Sequence, residues 1–206
     1  MQARGVTLDR LARLCQSGGR RSPLAAAPSG FAQLDASLPG GGWPLGAIAE
    51  LMPAASGIGE LSVLLPALSR LARAGRYIAW IAPPYLPHAP ALAQRGLPLE
   101  RVLIIRSRTP QESLWAAEQA LLCPAFGAVL SWPSRIGDKH VRRLQLAAET
   151  GGSLGILYRP AAAAHEPSPA ALRLQLEPTA DGLAVIILKC RGGRAGLRLQ
   201  LSQAAA

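Results

Sequence analysis

The sequence predicts an α/β domain: a mostly parallel central sheet flanked by helices, with antiparallel strands at its C-terminal end. Three observations carry that expectation. From Ala47 to Tyr158 short apolar runs alternate with longer stretches of helical period, the βαβ rhythm of a parallel sheet. Runs such as Tyr77–Ala82 are apolar on both faces, as a strand covered on both sides requires. After Tyr158 the pattern changes to strict alternation in Leu172-Arg-Leu-Gln-Leu176. Two further apolar runs follow, joined by a Gly-rich turn at Arg191–Gly196, which is hairpin chemistry.

The elements follow in order. Leu8, Leu11 and Leu14, with Asp9, Arg10 and Arg13 between them, place a short amphipathic helix over Val6–Leu14. Gln16–Ser29 is Gly, Ser, Pro, Ala and Arg and reads as a linker, so residues 1–28 form a helix with a flexible linker and 29–206 form the domain. Phe31–Leu38 has helical period and ends at Pro39 and Gly40–Gly42. Ala47–Met52 is a strand, Pro53–Gly59 a loop, and Glu60–Ala74 a helix that Pro66 should kink. The strand Tyr77–Ala82 leads to the loop Pro83–Pro90 and a short helix to Arg95. Val102–Arg106 is a strand and Pro110–Leu122 a helix with proline in its first turn. Ala128–Trp132 is a strand, Asp138–Thr150 a helix, Leu154–Tyr158 a strand and Arg159–Pro169 a loop. Leu172–Leu176, Ala184–Cys190 and Leu197–Leu201 are the closing strands.

Composition bounds the function. The chain has 206 residues, half apolar and 17% charged, which suits one globular domain and excludes disorder. No apolar run reaches the ~18 residues of a membrane span, and the Arg-containing N-terminus has no apolar signal core. Cys15, Cys123 and Cys190 lie in no metal-ligand spacing and read as free thiols, which points to the cytoplasm. The net charge of +10 is spread along the chain and favours an acidic partner or nucleic acid. His88, His140 and His165 have no partner spacing, and no G-x-S-x-G elbow occurs, so no catalytic residue and no metal site is expected.

The run Ser29-Gly30-Phe31-x-x-Leu34-Asp35-x-x-Leu38-Pro39-Gly40-Gly41-Gly42-Trp43-Pro44-x-Gly46-Ala47-Ile48-x-Glu50-Leu51 resembles the approach to the nucleotide site in RecA-family recombinases. With Gly59-Glu60-Leu61, Leu64–Leu68 and Ala82–Pro87, the whole chain is most similar to the ImuA family. The resemblance implies a RecA-like core with its phosphate-binding loop at Ser56-Gly57-Ile58-Gly59-Glu60. Such a loop needs a Lys and a hydroxyl, where Ile58 and Gly59 stand, and Glu60 puts negative charge at the helix start where phosphate would sit. The strands ending at Trp132 and at Ala82 lack the family's carboxylates, so the nucleotide site is degenerate, the protein is not an enzyme and it needs no cofactor. As an ImuA-like accessory protein of SOS-induced translesion DNA synthesis, it would bind an ImuB-like inactive Y-family polymerase protein, an alternative replicative-type DNA polymerase, and RecA at filament ends, with weak DNA contact. The related SulA family, cell-division inhibitors that bind the tubulin-like protein FtsZ, is the alternative.

Partner contacts are expected at the Leu8, Leu11, Leu14 stripe and at Tyr85 and Leu86, carried by a loop that four prolines stiffen. The resemblance places Lys189 and Arg191 where the recombinase reaches a neighbouring subunit's ATP; a solvated hairpin tip is the other reading. It also makes Arg135, Lys139, Arg142 and Arg143 candidate DNA phosphate contacts, against a plain solvated helix face. Trp43 and Trp132 would fill the vacated nucleotide cleft.

Overall fold

A computed structural model describes residues 5–6, 26–133 and 135–202. In chain order the elements are β1 (Gly5–Val6), β2 (Ala26–Ala27), α1 (Ala32–Ser37), β3 (Trp43–Pro44), β4 (Ala47–Pro53), α2 (Leu65–Arg73), β5 (Tyr77–Ile81) and α3 (Ala89–Gln94). There follow β6 (Val102–Ile105), α4 (Pro110–Leu122), β7 (Phe126–Ser131), α5 (Asp138–Gly151), β8 (Leu154–Tyr158), β9 (Leu172–Thr179), β10 (Gly182–Cys190) and β11 (Arg198–Ser202). Short 3-10 turns occupy Leu99–Arg101 and Ala161–His165.

Nine strands form one sheet in the order β1-β6-β5-β7-β8-β4-β9-β10-β11, and β2 and β3 make a separate two-stranded ribbon. All neighbours from β1 to β9 are parallel, while β9, β10 and β11 form an antiparallel meander. The mixed α/β fold expected from the sequence, with its antiparallel C-terminal end, is what the chain adopts. The crossovers fill both faces. On one face Leu34 of α1, Leu68 and Leu71 of α2 and Leu92 of α3 pack with Trp80, Leu130 and Leu174. On the other, Ala117 and Leu121 of α4 and Val141 and Leu144 of α5 pack with Ile81, Phe126 and Val129. Successive side chains of a strand point to opposite faces, so β5, covered on both, is apolar throughout.

Local chemistry explains the boundaries. α4 starts at Pro110, where Thr109 Oγ1 accepts from Glu112 N at 3.1 Å and Glu112 Oε2 accepts from Arg108 N at 2.7 Å. α5 ends on Gly151 because α4 passes there: a Cβ at Gly151 would collide with the Leu121 carbonyl. Gly152 then takes the left-handed conformation, φ +64°, that closes a helix. The buried Arg76 fastens this corner, donating to the carbonyls of Gly152 (3.2 Å) and Phe126.

Three expectations need correction. Pro66 does not kink a helix begun at Glu60; residues 54–64 make turns and α2 begins at Leu65, so Pro66 sits in the first turn, where its missing N–H costs nothing. Val6 is not helical but pairs with Ile105 at the sheet edge; Leu8, Leu11 and Leu14 lie outside the described residues. Ala26 and Ala27, read as the end of a linker, are buried and pair with Pro44 and Trp43. Among the described residues no helix is long and apolar enough to cross a membrane.

Candidate interaction surface at the C-terminal edge of the sheet

The loops after β4, β5, β6, β7 and β8 all leave the C-terminal edge of the parallel strands, the edge where α/β sheets place their sites. After β4 the chain turns through residues 54–64. Gly57 and Gly59 have φ of +81° and +89°, and Glu60 Oε1 accepts from Gly57 N at 3.3 Å. No helix N-terminus follows Ser56-Gly57-Ile58-Gly59-Glu60. The helix start expected at Glu60 is therefore absent: Ile58 packs on the core, and Glu60 lies in a turn.

Beside this loop the edge is aromatic. Trp132 stacks on Tyr158 with ring centroids 4.9 Å apart and planes within 3°, and Trp80 tilts against Trp132 at 5.9 Å. Burial pushes the Tyr158 phenol well above its ordinary range, and the nearby Glu60 charge adds to this. The native state therefore keeps this proton above pH ~10, where an unfolded tyrosine loses it, and stability falls as pH rises past that point. The unfolding free energy of the wild type, from urea titrations, is expected to fall more steeply above pH 10 than that of Tyr158→Phe, by up to about 1.4 kcal/mol per pH unit; equal slopes would contradict this. Trp43 is not part of the cluster. It is buried in the ribbon that enters β4 from the opposite end, so of the two tryptophans only Trp132 is at this edge.

The loop after β5 begins at Ala82, which holds φ +47°, a strained value for a residue with a side chain. It then runs through four prolines and presents Tyr85 and Leu86, 74% and 68% exposed, the largest exposure of any large apolar side chains described. Arg135, Lys139 and Arg142 are exposed near and along α5, and none has an acidic partner among the described residues. Arg143 is not free for phosphate: its guanidinium grips Glu118 of α4, Nε to Oε1 at 2.6 Å. Lys189 and Arg191 are at the other end of the sheet, because β10 runs antiparallel and Cys190 pairs with Leu172 at the start of β9. Lys189 Nζ donates to Ser168 O at 2.7 Å and Arg191 lies 3.8 Å from Glu149. The structure thus brings Tyr85, Leu86, Ser56–Glu60 and Arg135 to one edge and leaves Lys189 and Arg191 away from it.

Sequence reasoning missed a charged cluster beneath this edge. Glu50, in the middle of β4, is fully buried. Its carboxylate accepts from Arg173 Nε (2.7 Å), Ser168 Oγ (2.9 Å) and Arg159 Nη1 (3.2 Å). Arg159 also pairs with Glu166 at 2.8 Å, and Arg173 donates to the carbonyls of Ala163 and Glu166. These bonds pin the crossover from β8 to β9 onto the sheet. The signal was present: a Glu inside Ala-Ile-Ala-Glu-Leu-Met and an Arg inside Leu-Arg-Leu must find each other or a partner if those strands are buried.

The described residues hold no cluster of His, Cys, Asp or Glu suited to a metal. The family model "Cell division inhibitor SulA" matches residues 46–155, so the chain belongs to the SulA family. It is similar to the cell division inhibitors SulA of Yersinia pestis (strain Pestoides F) and of Yersinia pseudotuberculosis serotype O:1b (strain IP 31758). Each is 34% identical over 98 residues, 48% of this chain and 58% of theirs. The chain thus spans less than two thirds of the length of the curated relatives it matches. The crystal structure of SulA from Pseudomonas aeruginosa aligns with a TM-score of 0.46 at 24% identity, covering 54% of this chain and 97% of that one.

The family match corrects the ImuA resemblance. With it fall the role in translesion synthesis and the ImuB-like, polymerase and RecA partners. The stretches that favoured ImuA, Gly59–Leu61, Leu64–Leu68 and Ala82–Pro87, lie inside the match, whereas the run that resembled the recombinase approach lies mostly before residue 46. Its glycines answer to local geometry: Gly40 and Gly41 hold φ of +80° and +75°, and a Cβ on Gly42 would strike the Ala27 carbonyl.

Proposed function

We propose that this protein inhibits cell division by binding the tubulin-like division protein FtsZ, with the loop after β5 as the docking element and Tyr85 and Leu86 as its anchors. The supporting observation is that two large apolar side chains stand exposed on a proline-stiffened loop that lies within the 46–155 family match. A stiff loop loses little conformational entropy on docking, so more of its contact energy appears as affinity. The exposed cations Arg106, Arg108 and Arg135 on neighbouring loops suit an acidic partner surface. The protein acts by occupancy, with no turnover and no cofactor. Purified FtsZ assembling with GTP tests this by sedimentation. Polymer is expected to fall in proportion to the protein added and to vanish near stoichiometric amounts. Undiminished polymer at a twofold excess would overturn the proposal.

A further inference from the structure

The chain leaving β5 passes to α3 on one face of the sheet, whereas the chains leaving β6 and β7 pass to α4 and α5 on the other. Adjacent loops part there, and a crevice opens at such a switch point. It is a cleft of about 240 Å³ bounded by Ile81 and Ala82, by Ser107 to Pro110 and the first turns of α4, and by Ser131 to Pro133 with Arg135. Among the described residues no Asp or Glu lines it.

The donors within it are unevenly spent. Ser113 Oγ lies 3.2 Å from Thr109 O, to which it gives its hydrogen, and Ser107 then gives its own to Ser113, so this pair is self-contained. Thr109 caps α4, and Glu112 is turned to the backbone N–H of Arg108. Ser131, the last residue of β7, is only 3% exposed, and its hydroxyl has no hydrogen-bond partner among the described residues. The guanidinium groups of Arg108 and Arg135 also lack any acidic partner among those residues. Among the described residues, three donors without a protein partner, two of them full cations, line a cleft with no carboxylate.

We propose that this cleft binds a small phosphomonoester, its phosphate held by Arg108, Arg135 and the Ser131 hydroxyl. A phosphate monoester is a dianion near neutral pH and balances both arginines; a monocarboxylate leaves one uncompensated. The volume is below the roughly 300–1,000 Å³ of pockets for larger ligands, which limits the rest of the molecule to a few carbons. The inference does not depend on the division-inhibitor reading.

Calorimetric titration of the full chain at fixed ionic strength, with inorganic phosphate, glycerol phosphate and acetate as probes, tests it. Saturable binding of one phosphate or glycerol phosphate per chain is expected, at least tenfold tighter than acetate. Arg108→Ala with Arg135→Ala weakens it at least tenfold and Ser131→Ala at least threefold, both with unchanged melting. Lys139→Ala with Arg142→Ala removes the same charge from the neighbouring exposed helix face and leaves binding within twofold. No saturable binding, acetate binding as tightly, or equal weakening by the two double variants would each overturn the proposal.

Discussion

Replacing Glu50 by alanine is expected to cost about 3–5 kcal/mol of stability, the usual penalty for leaving buried charge uncompensated. Arg159 and Arg173 are each under 10% exposed; Arg173 has Glu50 as its one acidic partner among the described residues, and Arg159 would keep only the exposed Glu166, so the loss of this carboxylate leaves buried guanidinium charge undercompensated. The penalty is a large share of the roughly 5–15 kcal/mol that holds a domain folded. Glu50→Gln is expected to behave almost as badly, because it keeps the shape but not the charge. The triple change Glu50→Leu, Arg159→Leu, Arg173→Met removes the charges together and should recover most of the loss, since well-packed apolar groups replace buried ion pairs at little cost. Urea unfolding of the three variants decides the matter. If Glu50→Ala loses under 1 kcal/mol, the cluster does not hold the crossover in place.

At the Pro-rich loop the expectation is reversed: large effects on binding and none on folding. Tyr85→Ala should weaken association with FtsZ about thirtyfold, some 2 kcal/mol, the scale of an aromatic anchor at the centre of an interface. Leu86→Ala should weaken it by less. Because both side chains are mostly in solvent, the urea midpoints should move by no more than about 0.5 kcal/mol. Binding measured by interferometry on immobilised FtsZ, beside the unfolding curves, separates the two effects. Full affinity in the double alanine variant would move the interface elsewhere on the molecule while leaving division inhibition itself intact.

What could be read from the sequence was what local chemistry determines. Pro110–Leu122 and Leu154–Tyr158 have the limits their periodicity predicts, because Pro110 marks the start of the helix and the apolar run of the strand ends at Tyr158. The start of α2 was misplaced because Pro66 permits two outcomes, a kink or a first turn, and tertiary packing chose the second. The exposed pair Tyr85 and Leu86 was legible, since prolines announce a loop with few donors to hide. The Glu50 cluster was not, because its partners lie 109 and 123 residues away and only the strand order brings them together. Family assignment failed because short stretches such as Gly59–Leu68 and Ala82–Pro87, inside the matched region, do not by themselves separate two related families, and the Gly-rich run before Ala47 answers to turn geometry.

The sheet order also sets a schedule for the growing chain. β4 lies between β8 and β9, pairing Ala47 with Leu154 and Ala49 with Leu172, so both its neighbours are synthesised long after it. At about 5–20 residues per second, the gap of roughly a hundred residues leaves this strand waiting about 5–20 seconds on the ribosome. An apolar strand without partners is an invitation to pair wrongly, and a charge in its middle is the usual deterrent. Glu50 supplies that charge while the strand waits and loses its deterrent effect only when Arg159 and Arg173 arrive with the strands that complete the sheet.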